Sequence, residues 1–173
     1  MGEGGWNVFG GDERVTHGAN TRAIIPGMAN DLQDAALSEW EARQHMAITG
    51  DPLWRLRCYR EALFVLDLAR GDVQAAKQPT HQSAAAQLLT AVGSVAANIG
   101  ESYGRATNAD RARFLSYALG SVREAIAWYQ AIRSAIAPAA VDDRLARLAR
   151  IRRMLLGLLK RLRRADGKRV DSW

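Results

Sequence analysis

Apolar residues recur along most of this chain at steps of three and four, and no stretch alternates strictly as a half-buried strand would. Over residues 30–47 the pattern predicts an amphipathic helix with Leu32, Ala36 and Trp40 on one face. Thr49-Gly50-Asp51-Pro52 breaks it. Asp51 is suited to cap a new helix and Pro52 to occupy its first turn. The segment LWRLRCYREALFVLDLAR then places Tyr59, Ala62, Leu66 and Ala69 on an inward stripe. Gly71-Asp72 frays its end, and a polar connection containing Pro79 reaches to His81. A second long helix is expected from Gln82 to Tyr103. A third is expected from Asn108, as cap, to about Ile136, with Phe114, Tyr117, Ser121, Ala125, Trp128 and Ile132 facing inward. Pro138 breaks the chain, and Asp142 or Asp143 caps a fourth helix ending near Arg164. Four helices on short links predict an all-α, antiparallel up-down four-helix bundle. The expected organisation is an extension at 1–27, an appended helix at 28–50, the bundle at 51–165 and a basic tail at 166–173.

The second helix is the unusual one, because no charged side chain occurs between Gln82 and Gly100. A membrane span is excluded: Gln82, Ser83, Gln87, Thr90, Ser94 and Asn98 recur almost every turn, and alanine supplies most of the rest. At 100° per residue the helix divides into three stripes. Leu88, Val92, Val95 and Ile99 are apolar; Gly93, Ala96, Ala97 and Gly100 are small; Ser94, Asn98 and Glu101 are polar. An edge helix in a lone bundle shows charge to water. Its absence predicts cover for the outer side, and a second apolar stripe on the third helix (Leu115, Val122, Ile126) agrees. A homo-oligomer is the economical cover. Ser94, Asn98 and Glu101, with Ser121 and Glu124 of the third helix, are expected to form a polar network fixing register between helices.

Charge changes the picture at the other end. The formal net charge is +6, yet residues 1–141 hold 13 Lys/Arg against 14 Asp/Glu, while residues 142–173 hold 11 against 4. Of the 24 basic residues 21 are arginine, whose planar fork of donors suits phosphate. On the fourth helix Leu145, Leu148, Ile151, Leu155, Leu159 and Leu162 point one way. Arg150, Arg153, Lys160, Arg161 and Arg164 cluster opposite, and Lys168 and Arg169 continue the charge. No acidic residue lies between Arg144 and Ala165. Repeated around an oligomer, this row predicts binding of RNA or DNA through the phosphate backbone. The competing readings are a solvated helix face and a surface for an acidic protein partner. Arg105, Arg111 and Arg113, flanking the turn between the second and third helices, either extend the basic surface or pair locally with Glu101 and Asp110.

Catalysis finds little support. His17, His45 and His81 are scattered without an i+3 or i+4 metal-type partner. Glu101 and Glu124 can face one another across two helices, but the Glu-x-x-His pairs of metal-binding bundles are missing. No catalytic residue, metal or cofactor is expected. Cys58, the one cysteine, excludes an internal disulfide and reads as a small core residue.

The stretch SVAANIGESYGRATNADRARFLSYALGSVREAIAWY, residues 94–129, resembles the signature region of the four-helix-bundle proteins encoded in 23S ribosomal RNA intervening sequences. DPLWRLRCYREALFVLDLA, residues 51–69, is similar to the opening helix of that family, and Gln87-Leu88 fits its second-helix start. The resemblance implies a ring-like homopentamer without known catalytic residues. The accessory variability determinants of diversity-generating retroelements are similar proteins. They imply binding of nucleic acid on a basic surface in partnership with a reverse transcriptase. Two departures stand out: Ser102 replaces the usual glycine after the Asn-Ile-x-Glu run, and the segment before residue 51 is longer than usual.

Residues 1–27 are glycine-rich without periodicity and are expected to be disordered or loosely attached. They lack a basic region followed by an apolar run, so no secretory signal is read and a cytoplasmic location is expected. Met28 opens the better-patterned segment, which predicts that translation naturally begins there. The intact mass of the natively produced protein should then match a chain starting at Met28; a terminus at Met1 or Gly2 overturns this.

Overall fold

The computed structural model describes residues 26–170, with side chains described from 30 to 165. Residues 1–25 of the expected 1–27 extension and the side chains of the expected basic tail, Lys168 and Arg169 included, lie outside the described residues, while Pro26 and Gly27 already belong to the first helix. Six α-helices follow in order: α1 (Pro26–Glu41), a single turn α2 (Met46–Thr49), α3 (Arg57–Ala75), α4 (Pro79–Tyr103), α5 (Asn108–Ile132) and α6 (Pro138–Val170). Two 3-10 turns, Pro52–Arg55 and Arg133–Ala135, sit in the links. The described residues contain no strand. Helix α3 packs on α4, α4 on α5, α5 on α6, and α6 closes back on α3, so the four long helices enclose one core. Short links make consecutive helices antiparallel.

Leu88, Val92, Val95 and Ile99 of α4 are at most 1% exposed. They meet Cys58, Ala62, Val65 and Ala69 of α3 and Leu148, Ile151 and Leu155 of α6 in that core. The apolar stripes expected of α4 and α6 are therefore the buried ones.

The inward face of α5 is only in part the expected one: Ala125 and Ile132 are buried as expected, but the rest of the stripe is shifted. Leu115, Ala118, Leu119, Val122, Ala125, Tyr129 and Ile132 are buried, whereas Tyr117 is 53% exposed. Phe114, Ser121 and Trp128 are only partly covered. Both stripes are apolar, and the mainly small and aliphatic one fits closely against α4 and α6, leaving Phe114, Tyr117 and Trp128 towards the outside, while Tyr129 is buried on its hydrogen bond to Asp72. On α1 the same choice brings Leu37 and Trp40 inward and leaves Leu32 64% exposed.

Helix starts were shifted by prolines. Pro79 and Pro138 each open a helix instead of breaking the chain, since a first-turn residue needs no N–H and the ring presets φ. Asp51 does cap, its Oδ1 accepting from the Leu53 N–H at 2.7 Å, but it caps a 3-10 turn, and α3 begins at Arg57. The cap of α5 is Thr107, whose Oγ1 accepts from the Asp110 N–H at 3.1 Å. Helix α6, at 33 residues, continues past Arg164 to Val170, so the backbone of residues 166–170 belongs to the helix.

One polar group spans the core. The Tyr129 hydroxyl donates to Asp72 Oδ2 at 3.0 Å, and Arg144 Nε donates to the same oxygen at 3.0 Å. Burial and the neighbouring Asp72 carboxylate push the Tyr129 phenol up, so it stays a neutral donor. Replacing Asp72→Ala leaves the buried Tyr129 hydroxyl without its acceptor and Arg144 with Asp143 alone, at 2.8 Å, and urea unfolding should show a loss of about 1–3 kcal/mol; a loss below about 0.5 kcal/mol would mean that water satisfies both groups.

Candidate nucleic-acid interface on the basic helix

The arginines of α6 fall into two groups, divided by what stands beside them. Glu61 of α3 is fully buried. Its Oε1 takes Arg150 Nη1 at 3.1 Å and Arg57 Nη2 at 3.5 Å, while Oε2 faces Arg147 Nη1 at 3.5 Å. Arg147 is itself 2% exposed, lies 4.6 Å from the Phe64 ring centroid, and donates through Nε to Asp143 Oδ2 at 3.0 Å. Helix α1 completes the cluster. The Gln33 carbonyl accepts from Arg147, its side chain joins Asp143 at 3.0 Å, and Asp34 pairs with both Arg150 and Arg57. Beside these ions Trp40 stacks on Trp54 and Phe64 and donates Nε1 to Asp67 at 3.0 Å.

Arg150 therefore leaves the expected nucleic-acid surface. It lies on the edge of the basic arc nearest α3, where the carboxylates of Glu61 and Asp34 reach it. The missing acids along α6 were real, but the partners come from other helices.

Beyond Arg150 the partners stop. Arg152, Arg153, Lys160, Arg161, Arg163 and Arg164 are all exposed and have no ion pair among the described residues. Arg153, Lys160 and Arg164 form the outermost line. Arg163, Arg164 and Lys160 also rim a groove of about 640 Å³ against Arg123 of α5, floored by Leu119, Leu156 and Leu159. Arg152, Arg163 and Arg123 were missed in the sequence because they lie on the flank towards α5; only the α5–α6 packing brings Arg123 to the row.

The turn arginines take the local pairings. Arg105 pairs with Glu101 and lies 4.5 Å from the Phe114 ring centroid. Arg113 pairs with Asp110 at 2.9 Å. Arg111 is half-buried and donates Nε to the Arg105 carbonyl at 2.7 Å. The expected network between helices does not form within the chain. Asn98 donates to the Ser94 carbonyl, Ser121 to the Tyr117 carbonyl, and Glu124 accepts from Trp128, each within its own helix. Among the side chains that do tie the four long helices together are Glu61, Asp72, Tyr129, Arg144, Arg147 and Arg150.

A model of the 23S rRNA-intervening sequence protein family matches residues 56–157, more than half of the chain. The chain belongs to that family. The match takes in Glu61, Asp72 and the arginines of α6 through Arg153, while α1, with Asp34, lies before it. No curated protein and no solved structure matches the chain. Among the described residues of this family member, no helix is long and apolar enough to cross a membrane, and no cluster of His, Cys, Asp or Glu could hold a metal.

Two carboxyls of the cluster carry a pH signature. Burial acts to raise Asp34, but the hydrogen bonds and charges of Arg150 and Arg57 outweigh it and hold the carboxyl low. Asp143 is lowered in the same way, against burial, by Arg147, Arg144 and Gln33. Folded values below the unfolded value of about 3.9 mean that the unfolded chain takes up protons first on acidification. Their contribution is fully present above that value and is lost as pH falls through the lowered ones. Urea unfolding between pH 6 and pH 2.5 should show stability falling below about pH 4, with a shallower fall in Asp34→Asn; an unchanged slope in that variant counts against the ion cluster as the source.

Proposed function

We propose that this chain is a non-enzymatic nucleic-acid-binding adaptor that works as a homo-oligomer. The observation carrying this reading is the run of six exposed, unpaired cations on α6 from Arg152 to Arg164. A solvated helix face ordinarily intersperses acids with its bases, and here none among the described residues pairs with them. Such a row attracts phosphates by charge and releases their counterions, which favours binding without reading base sequence. Rigid packing of Leu148, Ile151, Leu155 and Leu159 holds the row straight.

The oligomer is supported by what α4 and α5 leave outside. Gln82, Ser83, Ala86, Gln87, Thr90 and Ala97 are exposed without a charge among them, and Tyr117 lies open on α5. A pentamer is the form that the family resemblance implies, and it would repeat the basic row around a ring. A reverse transcriptase as working partner, in the manner of the accessory variability determinants, is the narrower form of the reading and rests on the resemblance of residues 94–129.

The test is binding of the purified, nuclease-treated protein to labelled RNA and DNA across a salt series, with oligomer mass measured alongside. The wild type should lose affinity linearly in log–log form. Arg153→Ala, Lys160→Ala and Arg164→Ala combined should make the slope shallower by about two to three, at about 0.7–0.9 per phosphate contact. Weak binding by both proteins at physiological salt overturns the reading and leaves the row as a solvated face or a seat for an acidic protein.

A further inference from the structure

Helix α3 starts late relative to its neighbours, and this opens a cavity at one end of the bundle. At that end α4 is finishing, α5 is beginning and α6 has several turns still to run, while Leu56 just before α3 closes one side. The result is a hollow of about 530 Å³ lined by Leu56, Ile99, Ser102, Tyr103, Arg111, Leu115, Leu158, Arg161 and Leu162. Its size falls within the range of small-ligand sites.

The lining divides by chemistry. Ile99, Leu115, Leu158 and Leu162 form an apolar floor, and Tyr103, 46% exposed, contributes an aromatic ring. Two guanidiniums complete the lining, and no carboxylate is present. Arg111 is tethered by its Nε to the Arg105 carbonyl at 2.7 Å, which leaves its terminal amines available. Arg161 has no ion pair among the described residues and belongs to the same helix as the phosphate-binding row. The Ser102 hydroxyl is committed to the Arg111 carbonyl at 3.0 Å, so it braces Arg111 and does not compete for a ligand.

An aromatic ring over an apolar floor, flanked by two cations and continuous with a phosphate-binding surface, suits one occupant. We infer that this cavity takes an unpaired nucleotide of the bound strand, its base against Tyr103 and the apolar floor and its phosphate at Arg111 and Arg161. The inference rests on the nucleic-acid reading above and narrows it: the preferred ligand is a single strand or a frayed end, because a base held within a duplex cannot present its face to a side chain. Every base has a π-face, so the pocket adds affinity without demanding sequence.

The test uses the full-length oligomer and compares a 20-nucleotide single strand with a 20-base-pair duplex, with a 2-aminopurine reporter in each strand. The single strand should bind more tightly and its 2-aminopurine fluorescence should be quenched on binding. Tyr103→Ala should weaken single-strand binding about tenfold, within the range known for a base–aromatic stack, and abolish the quenching. Duplex affinity should be unchanged, and Tyr103→Phe should keep both properties. Because Tyr103 is half open to solvent, unfolding curves should show both variants folded. If single strand and duplex bind alike, or Tyr103→Ala leaves the single strand unaffected, the pocket inference is overturned while a salt-dependent row on α6 stands. If neither probe binds at all, both readings fall together.

Discussion

A carboxylate with no access to water sits at the centre of this fold. Glu61 is fully buried on α3, and an isolated ionised carboxylate in such a place is costly enough that cations must come to it. They come from three directions along two helices: Arg57 from one turn before it, Arg147 and Arg150 from α6. This requirement sets how α6 lies against α3, because two arginines three residues apart must both reach one carboxylate. The Asp72–Tyr129–Arg144 group makes a similar demand further along, so the register of the two helices is held at two points. Apolar packing alone tolerates small slides of one helix past another; charged groups out of water do not.

The same requirement divides α6 into two parts with different work. Arg144, Arg147 and Arg150 neutralise acids of α1, α3 and α6 itself and contribute nothing to the outer field. From Arg152 onward most of the cations stand on the outer face of α6 or on its α5 flank, and they face water. The face on which each arginine stands therefore decides which are structural and which are exposed. Arg161, on the same edge as Arg150, lies past the carboxylates of Glu61 and Asp34 and lines the cavity beside Tyr103.

Helix α1 stands outside the matched family region and is held by both charge and packing. Its Asp34 joins Arg57 and Arg150, while Leu37 and Trp40 close over Phe64. Helix α1, part of the longer segment before residue 51 seen in the sequence as a departure from the resembled family, thus has a defined seat on the α3–α6 side. That side is opposite in character to the uncharged outer face of α4, so α1 leaves the expected oligomer face clear.

Much of this was readable from residue order alone. Four long helices in their order, the buried stripes of α4 and α6 and the burial of Cys58 all follow from periodicity, because a helix with one apolar face has only one way to hide it. Periodicity failed where a helix carried two such faces. On α5 both Phe114-Tyr117 and Leu115-Val122 fit the spacing, and only the closeness of α4 and α6 selected the aliphatic one. Prolines at 79 and 138 read equally well as breakers or as first-turn residues until the hydrogen bonds around them were known. The arginines were harder still. Arg150 and Arg161 lie on the same edge of one helix and are indistinguishable in sequence, but one meets Glu61 and Asp34 and the other an open cavity. Charge pairing between helices depends on three-dimensional neighbours far apart in the chain. Local order therefore determined where α6 would be basic, and only the tertiary structure decided which of its cations are left exposed and without an ion pair among the described residues.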